Sequence, residues 1–202
     1  MPLQNRVSPF GELVVTHVRG TLMGNRGGRL HDDRRRLMRR RWTSKQWICC
    51  KLEFNDRHRA VWSDGYTELF FLDEVTAFAA GHRPCFECRR RDAERFALLF
   101  SGKTKRASAA AMDQALHAER LSGKVKRAHT RKLDTLPDGA VIAFGDEAFA
   151  VRGRRLLRWT PTGYGEPIVR PSSVEADVLT PPSIIAVLTR GYVPLWHPSA
   201  RA

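Results

Sequence analysis

The sequence predicts an α+β protein, and three features predict it. Short β-branched and aromatic segments punctuated by turn residues fill the first 72 positions. Two segments with apolar side chains at helical spacing lie between positions 90 and 121. Beyond Leu136, short apolar runs alternate with glycine turns. These give a small antiparallel sheet, two or three helices, and a C-terminal β meander closed by a helix, divided into units 1–135 and 136–202.

Glu12 to Val18 reads as a strand after the turn Ser8-Pro9-Phe10-Gly11. A glycine-rich basic loop follows and runs into Arg34, Arg35, Arg36, Arg39, Arg40 and Arg41, six arginines within eight residues. Trp47 to Phe54 and Arg59 to Trp62 read as paired strands, with Ser63-Asp64-Gly65 turning into a third strand over Thr67 to Leu72. Asp73 is a good N-cap for a short helix ending at Ala80, because its carboxylate can accept the free amides of the first turn; Gly81 supplies the left-handed stop. Helices are expected over Arg90–Ser101 and Ser108–Leu121. Leu136-Pro137-Asp138-Gly139 marks the boundary to the meander of 140–144, 148–151 and 156–159, and Pro182 opens a last helix to Thr189.

Thirty-five Lys and Arg stand against 21 Asp and Glu, a formal charge of +14. That excess favours polyanionic partners, DNA ahead of RNA. No apolar run approaches the roughly 20 residues that span a bilayer, so a cytoplasmic or nucleoid-associated protein is expected, with no membrane partner and a monomer or weak oligomer. Four cysteines, Cys49, Cys50, Cys85 and Cys88, are a poor disulfide framework but a fair supply of metal ligands.

The chemistry concentrates at Ala79-Ala80-Gly81-His82-Arg83-Pro84-Cys85-Phe86-Glu87-Cys88. A Cys-x-x-Cys turn offers two thiolates from one rigid loop, which suits tetrahedral zinc once a distant segment supplies the rest. Over residues 42 to 92 this pattern resembles the zinc-binding N-terminal domain of the Ada DNA-repair family. The resemblance implies an upstream pair of ligands, and Cys50 falls at the first. The second position holds Phe54, so another ligand is needed, with His82, His58 and His31 the candidates. Cys49 and Cys50 point to opposite faces of a strand, so both reaching one ion would require a bulge. Zinc bound by Cys50, Cys85, Cys88 and His82 would stabilise a basic surface formed by Arg26, Arg83, Arg89, Arg90, Arg91 and the arginine run, with Trp42 and Trp47 stacking on bases.

Three further readings concern reactivity. With the initiator methionine removed, Pro2 is a secondary amine able to form an iminium with an abasic-site aldehyde, assisted by Asp32, Asp33 or Glu12. His31-Asp32-Asp33 also suits a divalent cation for phosphodiester cleavage. The Gly24–Gly28 loop, with Arg26 and Arg29, could cradle a phosphate. The sequence therefore points to a DNA-binding repair or processing protein of glycosylase or lyase type. A non-catalytic zinc-stabilised module binding DNA or RNA is the alternative, and a metal-dependent nuclease the third.

Overall fold

β1 (Gln4–Val7), β2 (Leu13–Val15), β3 (Leu22–Asn25), β4 (Ile48–Cys50), β5 (Leu69–Phe71) and β6 (Arg83–Pro84) form a mixed six-stranded sheet in the order β2-β1-β5-β3-β4-β6. The computed structural model describes residues 2–56, 61–62 and 65–201. This sheet is larger than the three-stranded one expected. β1 runs parallel to β5, and β6 parallel to β4, so each is held by distant partners that a local pattern does not reveal. The expected hairpin partner over 59–62 is not found: Val61 and Trp62 are in a turn, and Arg59 and Ala60 lie outside the described residues. β4 pairs instead with β3, from the segment read as loop. Gly24 permits that pairing, since a Cβ there would lie 2.0 Å from the Ile48 carbonyl oxygen.

The register separates the sheet's two faces. Leu22, Cys49, Leu69 and Phe71 are buried together with Val7, Leu13, Ala77 and Ala80. On the opposite face, Met23 stands between Phe70 and Cys50, because it pairs with both. Two residues along, Asn25 pairs with Ile48 and comes level with Glu68. Alternation on the pleat thus sends Cys49 into the core and Cys50 out of it.

α1 (Glu74–Ala79) is capped as expected, Asp73 accepting from the Thr76 amide at 2.8 Å. α2 (Arg90–Ser101) and α3 (Ala109–Arg120) match the expected helices, and Phe96, Ala97, Met112 and Leu116 pack with α4 (Pro182–Thr189) in one cluster. None of the described helices is long and apolar enough to cross a membrane.

Beyond a two-stranded hairpin of β7 (Leu121–Ser122) and β8 (Val125–Lys126), a second six-stranded sheet forms from β9 (His129–Lys132), β10 (Val141–Phe144), β11 (Glu147–Arg152), β12 (Arg155–Thr160), β13 (Gly163–Val169) and β14 (Glu175–Val178). β10 to β13 are the expected antiparallel meander, extended by one strand. Gly145 and Gly153 take positive φ, 57° and 56°, at the first position of two-residue turns, the conformation that matches strand twist. β9 pairs with β14, so this sheet draws one strand from before residue 135. Leu72, Val75 and Ala79 also share a cluster with Val141, Leu157 and Leu179, so apolar packing spans that position.

Candidate metal centre

Cys50, Cys85 and Cys88 meet at one edge of the first sheet, their sulfur atoms all within 4.8 Å of one another. β4 presents Cys50, and the turn after β6 presents the other two. Pairing of Ile48 with Arg83 and Cys49 with Pro84 brings the turn to the strand, and the Cys85 amide donates to the Cys49 carbonyl at 3.0 Å. The Glu87 amide points at Cys85 Sγ, 3.4 Å away. Hydrogen bonds from the Cys50 and Cys88 thiols, helped by the Cys88 and Glu87 amides, hold the Cys85 thiol far below the ordinary thiol range. Cys50 is pushed up because it donates to Cys85 and Cys88. Three sulfur ligands together, one of them easily ionised and in a turn whose amides face sulfur, are a donor set fitted to a thiophilic ion. These three residues can hold a metal ion.

Cys49, one residue away, has the opposite fate. It is wholly buried, burial pushes its thiol up, and Arg89 donates to its Sγ at 3.0 Å. No bulge carries it to the cluster. His82 is also absent from the three-sulfur group: it is fully buried between Trp47 and Phe71, and its Nε2 accepts from Arg26 Nε at 3.3 Å. His31 contacts the Thr67 hydroxyl through Nδ1 and stacks on Trp62. His58 lies outside the described residues.

The cysteine site opens on a cleft of about 620 Å³. Its floor is the outer sheet face, with Phe70, Met23 and Cys50 in one row and Glu68, Asn25 and Ile48 in the next. Leu52, Phe54 and Tyr66 border it. At the Phe70 end, the guanidinium of Arg19, which borders the cleft, lies 5.0 Å from the ring centroid, and that of Arg6, just outside the cleft, 5.3 Å. Sequence reading missed this cleft, because β3, which places Met23 and Asn25 on its floor, was not recognised as a strand.

The arginine-rich segment is an ordered turn. Asp32 accepts the amides of Arg34 and Arg36 at 3.0 and 2.8 Å, the Met38 amide bonds the Leu30 carbonyl, and Asp33 pairs with Arg29. The Arg36 amide is the main reason that the Asp32 carboxyl lies below its usual range. Both carboxylates are thus used within this turn, where catalytic roles were expected of them. The Gly24–Gly28 stretch is likewise occupied: Gly24 is in β3, while Gly27 and Gly28 face Ser44 and Thr43. Pro2 precedes β1 and is partly exposed.

The expected cationic surface divides in two. Arg34, Arg39, Arg40 and Arg91 are exposed and pair with no carboxylate among the described residues. Arg35 donates to the Val61 carbonyl, Arg36 pairs with Asp32, Arg41 bonds the Met38 carbonyl and Arg90 pairs with Glu94, all four remaining exposed. Arg26, Arg83 and Arg89 instead lie inside, 1%, 1% and 3% exposed. Arg83 grips Asp113 with two bonds of 2.8 Å, and Arg89 pairs with Glu74 and Asp92. Trp42 is half-buried against Trp47 and His117.

Arg26 belongs to an unusual interior cluster. Its guanidinium and that of Arg120 lie 4.0 and 3.9 Å from the Trp47 ring centroid, and their N–H groups are spent largely on the carbonyls of Gly11, Arg41, Gly81 and Lys45. Lys126 has a half-exposed stem, but its ammonium reaches the Ala79 carbonyl inside. Burial, then repulsion among these cations, pushes Lys126 down to about 7 and Arg26 to about 9. Between about pH 7 and the ordinary lysine range, the unfolded chain carries a proton that the folded chain lacks. Stability therefore rises with pH in that window. We expect about 1–2 kcal/mol more stability at pH 9 than at pH 7 by urea unfolding, with Lys126→Met flattening most of the rise. A flat or falling profile in the unsubstituted protein removes this account of the cluster.

The chain matches no protein-family model, no curated protein and no solved structure.

Proposed function

We propose that the protein is a zinc-dependent DNA-binding factor of repair or processing type. Zinc is held by Cys50, Cys85 and Cys88, and phosphates meet the exposed arginines of the 34–41 turn and Arg91. The observation that carries this reading is the convergence of three thiols beside a cleft, in a chain of net charge +14. Among biological cations the all-sulfur donor set favours zinc over magnesium or calcium. The same three cysteines carry the resemblance to the Ada zinc-binding domain, and that resemblance is what favours DNA over RNA. When bound, zinc ties β4 to the turn after β6 and so fixes one wall of the cleft.

The test combines metal analysis with binding to duplex DNA, single-stranded DNA and RNA over a salt series. About one zinc per chain is expected, with tighter binding to DNA and a steep loss of affinity with salt. Replacing Arg34, Arg39 and Arg40 together by Ser should reduce the slope of log K against log salt by about 0.9 for each phosphate that is no longer neutralised. Less than about half an equivalent of zinc, or salt-independent binding, would overturn the proposal.

One observation keeps the abasic-site lyase as a second reading. β1 lies beside β5, with Asn5 Nδ2 donating to the Glu68 carbonyl at 3.0 Å, so the chain enters the sheet next to the Glu68 end of the cleft. In that mechanism the Pro2 amine adds to the sugar C1′ aldehyde and water leaves, giving an iminium that borohydride reduces to a stable amine. A trapped adduct that vanishes when the N-terminal amine is blocked supports it; an adduct that persists refutes it.

A further inference from the structure

The geometry points to the 620 Å³ cleft as a binding site for one extrahelical nucleotide, phosphate at Arg6 and Arg19 and base over Met23 and Ile48, its edge read by Asn25 and Glu68. This rests on the DNA-binding reading above but concerns different residues from the arginine turn. Four features carry it.

The first is an amide with nothing to bond. Asn25 is 9% exposed and borders the cleft; its Oδ1 accepts the Gly27 amide at 3.0 Å, while its Nδ2 has no partner among the described residues. That donor is open to the cleft, where a base edge offers suitable acceptors. Glu68, level with it on β5 and 3% exposed, fixes one carboxylate oxygen on the Trp62 amide at 2.7 Å.

The second is a separation of charge. Four acids, Glu53, Asp56, Glu68 and Glu87, border the cleft against two bases, Arg19 and Lys51. A phosphate is repelled from such an interior, whereas an uncharged base is not. The third is an anion locus at one end only. Arg6 and Arg19 share the Phe70 ring and pair with no carboxylate among the described residues; Arg6 donates to the Val18 carbonyl at 2.7 Å. Two like charges held together in this way favour an anion between them.

The fourth is size and surface. The cleft volume falls within the roughly 300–1,000 Å³ of small-ligand pockets. Its floor spans β5, β3 and β4, two strand spacings of about 4.8 Å, room for a base and sugar with the phosphate beyond Phe70. Apolar and aromatic groups cover its middle, the surface on which an unstacked base recovers its lost stacking.

The test uses a duplex carrying 2-aminopurine opposite an abasic analogue, reading anisotropy for binding and base fluorescence for extrusion, beside saturation-transfer NMR with dAMP and with deoxyribose 5-phosphate. Asn25→Asp keeps the oxygen that the Gly27 amide needs and removes the donor; Arg19→Ala removes one cation from an exposed position. We expect bound 2-aminopurine to brighten severalfold, and each variant to cut that change about fivefold while duplex affinity stays within about twofold. Mononucleotide should bind better than the sugar phosphate. Duplex binding with unchanged 2-aminopurine and no transfer to dAMP overturns the nucleotide site and leaves the DNA-binding reading intact. Transfer to dAMP without duplex binding supports the site and overturns that reading instead.

Discussion

A Cys85→Ser protein is expected to hold less than about a tenth of an equivalent of zinc and to melt about 10 °C below the unsubstituted protein, whereas Cys49→Ser keeps its zinc. Cys85 is the thiol toward which the Cys50 and Cys88 thiols and the turn amides converge, which holds it below the ordinary thiol range and makes it the most readily ionised of the three ligands. A serine hydroxyl does not ionise there, and two remaining thiols cannot close a tetrahedral site. The thermal cost follows because an ion bound only by the folded chain stabilises it in proportion to occupancy, and a few kcal/mol moves the midpoint of a chain this long by about 2–4 °C each. Cys49 differs by one residue but faces the core, so its serine variant should lose stability through a polar group among Leu69, Phe71 and Ala77, without loss of metal. Chelation should reproduce the Cys85→Ser midpoint in the unsubstituted protein and change the variant little. Full zinc in Cys85→Ser, or a chelator without effect, would sink the metal centre.

What could be read in advance was what local chemistry determines. Asp73 as N-cap, the helices over 90–101 and 108–121, the glycine turns of the meander and the α+β class all rest on interactions within a few residues, and the structure contains them. The Cys50, Cys85 and Cys88 grouping was legible because a Cys-x-x-Cys turn already fixes two of its members. Strands β1 and β3 were not legible: Gln-Asn-Arg-Val and Leu-Met-Gly-Asn have weak strand propensity and become strands through pairing with β5 and β4. The fate of each arginine was hidden for a related reason. Arg26, Arg83 and Arg89 are indistinguishable in sequence from their exposed neighbours, and only Trp47, Asp113 and Glu74, at least 15 residues away, draw them inside. Net charge counts such side chains as surface although they are structural.

Glu74→Ala is expected to cost about 3–5 kcal/mol, more than any exposed charge in the arginine turn, because it strips a buried cation of its main partner. Glu74 and Arg89 are 0% and 1% exposed at their side chains and meet at 2.8 Å. The same carboxylate accepts the Tyr192 hydroxyl and the Leu195 amide, both at 2.9 Å. One truncation therefore orphans a guanidinium that continues to Cys49, a phenol and a backbone amide at once, in a place water reaches poorly. Glu74→Gln keeps the volume and one acceptor and should lose less. Asp73 holds the adjacent chain, accepting from the His197 amide at 3.0 Å and the Tyr164 hydroxyl at 2.9 Å, so segment 192–197 is moored by two consecutive carboxylates at the start of α1. Amide exchange should accelerate first at Leu195 in Glu74→Ala and later at His197. Pairing Glu74→Gln with Arg89→Met removes both charges together, and the double variant should be more stable than the sum of the single losses implies. A Glu74→Ala midpoint within about 2 °C of the unsubstituted protein would show that water reaches Arg89 after all. Because Arg89 directly follows Cys88 and precedes α2, the same variant should also release zinc faster to a chelator, linking the ion pair on one side of the turn to the metal on the other.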